Sequence, residues 1–377
     1  MTLESIAKKI VSFQIKYPKK VLWMFLILNL ILIPGIFNLV SNVEPSLEKV
    51  LPQQVDEVAN MNYMRSQFGA DMFYLVAYTN DGPITDVREL KYLRYIDILS
   101  KKISTNEHIL EINSVSSILK NVNGGILPTT YQDSKNLFLK YKNMLSSYHN
   151  SDYSFSMVSI QTNTGSSAKV VSDTIDQIKN DIKLVEEYNP GVSIKVTGFS
   201  AIDKATFSVI MSDFLVITLI SMLFVSIIVF IVFKSLIKGM LPMVVVINAL
   251  IWTMGQVGYL NLTLTVVSMV AAAMIMGLGI SFGVHEVYGY FEKRKEMEPK
   301  EALTEIMAEL LRALLGASLT TIAGFLALLI GVLPAMKILG IILALGILNT
   351  LIGAIFLLPV IMYLYDKNQM KKLKIKN

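Results

Sequence analysis

Residues 207–233 read FSVIMSDFLVITLISMLFVSIIVFIVF, one charge (Asp213) in an otherwise apolar run, followed at once by Lys234 and Lys238. About 20 such residues cross the hydrocarbon layer of a bilayer as a helix, so this stretch reads as a membrane span. Working outward, comparable blocks fall at 21–40, 240–260, 263–290, 313–333 and 338–364. The chain therefore reads as an α-helical polytopic membrane protein with six transmembrane helices. Composition agrees, with 53% of the 377 residues hydrophobic and 17% charged, against roughly 45–50% and 25% in soluble domains. The first block follows Lys8, Lys9, Lys16, Lys19 and Lys20 and ends Asn38-Leu39-Val40. A cleaved signal has an apolar region of about 7–15 residues and a small-residue cleavage site, so this block reads as an uncleaved anchor.

Charge assigns the sides. Lys234 and Lys238 join the second and third blocks, the charged segment 292–309 joins the fourth and fifth, and 367–376 is Lys-rich, whereas the turns 258–263 and 331–337 hold only Lys337. Basic connections stay inside. Both termini are thus expected in the cytoplasm of a multi-pass cell-membrane protein, with residues 44–205 extracytoplasmic. That segment carries 19 acidic and 16 basic side chains, so the overall charge of +5 belongs to the membrane flanks and does not indicate nucleic acid. With no cysteine, disulfides and thiolate metal sites are excluded.

Periodicity organises the loop. MFYLVAY (72–78) reads as a strand and 85–103 as a helix capped by Thr85 with Leu90, Leu93, Ile96 and Ile103 on one stripe. Residues 109–118 alternate as a strand. A Gly124-Gly125 break introduces an insertion, 119–150, expected to be helical over 134–147. A strand at 154–162, a turn at 163–165, an amphipathic helix at 168–187 stopped by Pro190-Gly191, and a strand at 192–197 follow. The order β-α-β-β-α-β is that of an α+β ferredoxin-like domain, with its core at about 70–198 and a leading helix at 52–68. The domain plan is a cytoplasmic segment (1–20), a first span (21–43), a porter-like domain (44–205), a five-helix bundle (206–365) and a basic tail (366–377).

One such loop after the first of six spans, together with local motifs, resembles the resistance-nodulation-division (RND) superfamily in its MMPL-like, hydrophobe-exporting branch. The motifs are GLGISFGVHEVYGY (277–290), Glu301-Ala302-Leu303, LGASLTTIAGF (315–325), Gly340, Gly346, Leu358-Pro359, Tyr17-Pro18 and Phe68-Gly69. Gly277, Gly279, Gly283, Gly316 and Gly324 are expected to pack helices closely, as small residues do in membranes. Proton-driven relatives usually carry Asp-Tyr where this chain has Ser281-Phe282, so the resemblance leaves coupling to other groups. The candidates are His285 and Tyr288, on the face of Gly277 and Ser281, and the hydroxyl and amide groups of Ser281, Ser318, Thr320, Thr321, Asn349 and Thr350, which suit a hard cation. Glu286 and Asp213 are expected nearer the interfaces, in solvated roles.

The resemblance implies a half-length transporter subunit that moves a lipid or other hydrophobic or amphiphilic small molecule by efflux or extraction, working as a homodimer. With no Walker A pattern, the drive would be an ion gradient, about 2.3 kcal/mol per charge per 100 mV. Two alternatives stand beside it: a SecDF-like auxiliary of protein export, and a non-pumping sensor or scaffold. No paired carboxylates, HExxH or Gly-x-Ser-x-Gly arrangement lies in the spans, so no catalytic residue is expected and the chain does not read as an enzyme; no cofactor or metal is implied.

Overall fold

A computed structural model describes residues 3–41, 50–68, 71–79, 83–164 and 168–376. The expected boundary at 43/44, Gly69 and the turn glycine Gly165 lie outside the described residues. In chain order the elements are α1 (Leu3–Lys16), α2 (Pro18–Ser41), α3 (Asp56–Phe68), β1 (Asp71–Tyr78), α4 (Leu90–Ile103), β2 (Ile109–Asn113), α5 (Val115–Val122), α6 (Tyr131–Lys140), α7 (Lys142–Leu145), β3 (Phe155–Thr162), α8 (Ala168–Leu184) and β4 (Ser193–Thr197). They continue as α9 (Phe199–Phe233), α10 (Leu236–Tyr259), α11 (Ala271–Lys293), α12 (Pro299–Leu326), α13 (Pro334–Ile352) and α14 (Leu358–Lys376). The chain divides into two compact units, 1–52 with 209–377, and 53–208.

In the 53–208 unit the four strands lie in the order β2-β3-β1-β4, with β1 antiparallel to β3 and β4, and β2 antiparallel to β3. Alternation along β1 sends Phe73, Leu75 and Ala77 to a fully buried face. There they join Val158 and Ile160 of β3, the α4 stripe of Tyr92, Leu93, Ile96 and Leu99, and Ile175 and Ile178 of α8. Each amphipathic helix has one apolar stripe, and one sheet face covers both.

Three local expectations are corrected. The strand expected over 109–118 stops at Asn113, because Ser114 and Ser117 form a reciprocal capping box that starts α5. Val115, Ile118 and Leu119, which alternation assigns partly to the strand, fit the i, i+3, i+4 spacing of that helix. The helix expected from Thr85 starts only at Leu90, since Asp86 is engaged locally and accepts the Arg88 backbone N–H at 2.8 Å. The insertion helix divides at Tyr141 into α6 and α7.

Asp86 also anchors the insertion. Its carboxylate pairs with the Arg88 guanidinium (Nη2 at 2.7 Å) and accepts the Tyr131 hydroxyl at 2.6 Å, while Arg88 lies over the Tyr153 ring, 3.6 Å from its centroid. Burial pushes the Asp86 carboxyl up, but the hydrogen bonds from Arg88 and Tyr131 outweigh it and leave it below its ordinary value. A carboxyl depressed by folding contributes stability above its unfolded pKa, about 3.9, and loses it as pH falls through the folded value. Asp86→Asn is therefore expected to cost about 1.5 kcal/mol at neutral pH. Melting of both proteins between pH 7 and pH 3 checks this, because the gap should close toward the acid end.

In the other unit, six helices among the described residues are long and apolar enough to cross a membrane: 18–39, 212–233, 236–259, 267–293, 299–330 and 334–369. α10 is central and packs along α2, α11 and α13. Against α2 the approach is backbone to backbone: a Cβ on Gly258 would lie 1.8 Å from the Gly35 carbonyl oxygen, and one on Gly255 would lie 2.4 Å from that of Leu32. Phe25 and Trp252 stack beside this crossing, centroids 5.0 Å apart.

The segment before the first span is an amphipathic helix, α1, with Ala7, Val11 and Gln14 buried; it packs on α12 and α14. Gln14 has a definite task. Pro359 has no N–H with which to bond the Ile355 carbonyl four residues back, and the last span passes through a π-helical turn at Gly353–Leu357. The Gln14 amide donates to Ile355 O at 2.7 Å in its place.

Candidate functional site

α11 has two chemically distinct faces. Gly279, Phe282, Gly283, Glu286, Val287 and Tyr290 are buried in the bundle, whereas Gly277, Ser281, His285 and Tyr288 are exposed. The buried face is built by close approach. A Cβ on Gly279 would sit 2.8 Å from Thr350 Cγ2, and one on Gly283 would sit 2.9 Å from Pro242 Cα. Gly277, Gly316 and Gly324 make no such approach among the described residues, since nothing lies within 4 Å of a Cβ added at any of them. The reason is helical phase: on α11, Gly277 lies two residues from Gly279, about 200° around the helix.

The hydroxyl candidates do not converge within one chain. Ser281 donates to Leu278 O at 2.7 Å, Thr320 to Gly316 O at 2.9 Å, Thr321 to Ala317 O at 2.7 Å and Thr350 to Gly346 O at 2.8 Å. Each satisfies itself on its own helix, the usual resting arrangement of such groups in membranes. Ser318 is buried and its hydroxyl has no partner among the described residues. Asn349 belongs to a buried amide cluster between α13 and α10, donating to Thr253 Oγ1 at 3.0 Å and to Gln256 Oε1 at 2.8 Å. Among the described residues no group of three or more His, Cys, Asp or Glu side chains is placed to hold a metal ion.

Glu286 overturns its expected role. It is 0% exposed, and neither carboxylate oxygen has a hydrogen-bond partner among the described residues. The sequence expectation is a solvated role nearer the interface. The helical phase of Glu286, three residues after Gly283 and four before Tyr290, instead turns it inward. The signal available in sequence was an ionisable residue inside an apolar block, a functional candidate by default. Asp213 stays at the surface of its helix. At the basic end of the bundle, Tyr290 donates to Asp366 Oδ2 at 2.8 Å, Arg294 pairs with the same carboxylate, and Lys293 bridges Glu305 and Glu309, each at 2.7 Å.

Six spans, a loop unit with a four-stranded sheet after the first, and a glycine-packed fourth span carrying GLGISFGVHE are thus assembled in one chain. The MMPL family model matches residues 49–374. The chain belongs to the MMPL family. As an MMPL protein it is a multi-pass membrane protein of RND type. It is also similar to a putative membrane protein of Methanocaldococcus jannaschii (MJ1562), with 27% identity over 385 residues that cover 99% of this chain and 97% of that protein. The MMPL match takes in the sheet unit and the bundle from α10 to α13, so both faces of α11 lie within it.

Proposed function

We propose that this MMPL protein is an ion-driven transporter subunit that moves a lipid or other amphiphile and works as a homodimer in the cell membrane, with both termini cytoplasmic. The 53–208 unit reads as the extracytoplasmic porter-like domain, of ferredoxin-like type: its β-α-β-β-α-β order with strands arranged β2-β3-β1-β4 supports that, and the basic connections 234–238 and 292–309 support the orientation. One observation carries the dimer. The polar and small side of α11 (Gly277, Ser281, His285) and the small stripe of its neighbour α12 (Gly316, Thr320, Gly324) are uncovered in one chain. In lipid, small and hydroxylated surfaces are what helices use to approach each other, and a second copy supplies the same surface by twofold symmetry. Gly279 and Gly283, filled by Thr350 and Pro242, are not available for that contact.

The chain has no cysteine, which makes a direct test simple. Single-cysteine variants Ser281→Cys and Thr320→Cys are expected to cross-link into dimers in native membranes, and Gly279→Cys is expected not to. In proteoliposomes containing a fluorescent phospholipid, an imposed proton or sodium gradient should accelerate lipid movement by the parent protein. Cross-linking without gradient-driven movement would point to a scaffold, and absence of both would sink the reading.

A further inference from the structure

Glu286 and Tyr290 on α11 and Arg294, the residue that caps its C-terminus, stand at i, i+4 and i+8 and so share one face. Glu286 and Tyr290 are fully buried, whereas the side chains of Arg294 and its partner Asp366 are 21% and 14% exposed. The face therefore runs from an enclosed carboxyl to a solvent-touched ion pair at the basic end, with Tyr290 one turn from each along the chain. Neighbours at i and i+4 have Cβ atoms about 5–6 Å apart, so Glu286 and Tyr290 are adjacent on that face, one helical turn apart. The Tyr290 hydroxyl is already committed to Asp366 Oδ2 at 2.8 Å.

We propose that Glu286 is an intramembrane proton-binding site, loaded and emptied through Tyr290 from the Asp366–Arg294 pair. A purely structural side chain here would be apolar or an amide. An ionised carboxylate without a donor or counter-charge is far costlier in such a core than the neutral acid, and ionisable groups kept inside membrane helices mark ion pathways and proton relays. Among the described residues the surroundings offer no permanent partner. Of the elements packed on α11, α10 brings Lys238, held over the Phe291 ring at 4.2 Å, and α12 brings Glu305 and Glu309, paired to Lys293. From α13 come the uncharged Asn349 and Thr350; beyond these, α14 brings Asp366, and α1 brings the amide of Gln14 to the shared core. His285 is on the opposite, exposed face of α11. In the transfer, the Glu286 acid gives its proton to the Tyr290 oxygen as Tyr290 gives its own to Asp366, leaving a Glu286 carboxylate and a protonated Asp366; the reverse loads the site. Pro242, against Gly283 one turn away, and the π-helical turn at Gly353–Leu357 are irregular backbone of the kind found at functional sites in helices.

The inference deepens the ion-driven reading by naming the ion and its carrier, and its test has a readout independent of transport. In full-length protein in liposomes, dicyclohexylcarbodiimide, which modifies protonated carboxyls in apolar surroundings, is expected to place its adduct on Glu286, increasingly as pH falls, located by mass spectrometry. E286Q should fold with unchanged size-exclusion and melting profiles, lose the adduct, and take up protons into pyranine-loaded vesicles about 100-fold more slowly. Y290F should keep the adduct and slow uptake roughly tenfold, whereas a structural role would leave uptake unchanged in both E286Q and a folded E286L. Absence of a pH-dependent adduct on Glu286 in folded protein, or parental uptake by E286L, overturns the proposal. A pH-dependent adduct in a protein that no gradient drives supports the proton site and overturns the transport reading.

Discussion

Gly258→Leu is expected to abolish the folded bundle. The site has no slack: even a single added carbon would lie 1.8 Å from the Gly35 carbonyl oxygen and 3.1 Å from the Leu39 backbone nitrogen. Those are backbone atoms of α2, so no rotamer change relieves the clash and the two helices must separate. Separation also breaks the facing approaches of Gly255 on Leu32 and of Gly35 on Gly255, and it loosens the Phe25–Trp252 stack. Overpacking a well-filled core costs about 1–3 kcal/mol when side chains can yield; here the backbone must, so a loss of more than about 4 kcal/mol, diagnostic of a rigid site, is expected. Thermal melting in detergent, followed by size exclusion, checks it. Gly277→Leu is the control, since open space surrounds that glycine; it should melt like the parent while failing to form the cross-linked dimer.

This contrast marks how far the sequence could be read. Span number, the four strands and the buried stripes of α4 and α8 were legible because each rests on a local period and each apolar face has one place to go. The helix-packing glycines were legible as a class but not by position. Gly277 and Gly279 stand two apart in the same motif, and only the helical phase against α10 and α13 separates the open one from the filled one. Gly35, Gly255 and Gly258, the tightest approach in the bundle, lie outside the motif and gave no pattern that one sequence can expose. Gln14 was hidden for a related reason. Its partner is the Ile355 carbonyl, freed by Pro359 and 341 positions away in sequence, and long-range backbone satisfaction has no local signature. The inward turn of Glu286 likewise depends on where α11 begins, and that helix starts at Ala271 only after a 3-10 turn over Val266–Val270.

In the sheet unit the largest effect is expected from Phe73→Ala. Phe73 is fully buried on β1, a central strand, directly opposite Ile160 of β3, and it shares its core with Tyr92, Leu93 and Ile96 of α4 and with Ile178 of α8. Removing a buried phenyl ring loses its transfer energy and leaves a cavity, together about 3–5 kcal/mol. Domains of this kind are stable by only about 5–15 kcal/mol, and with no cysteine in the chain no disulfide shares the load. Amide exchange in the full-length protein should therefore accelerate on β1, β3 and β4 by about a hundredfold or more, 1.4 kcal/mol being a factor of ten. Met72→Ala, one residue earlier on the exposed side of the same strand, should change exchange by less than about threefold, as surface substitutions do. Because the bundle has separate cores, protection along α10 and α13 should stay at the parental level. An acceleration spread equally over both units would show that the chain folds as one cooperative body and would refute their independence.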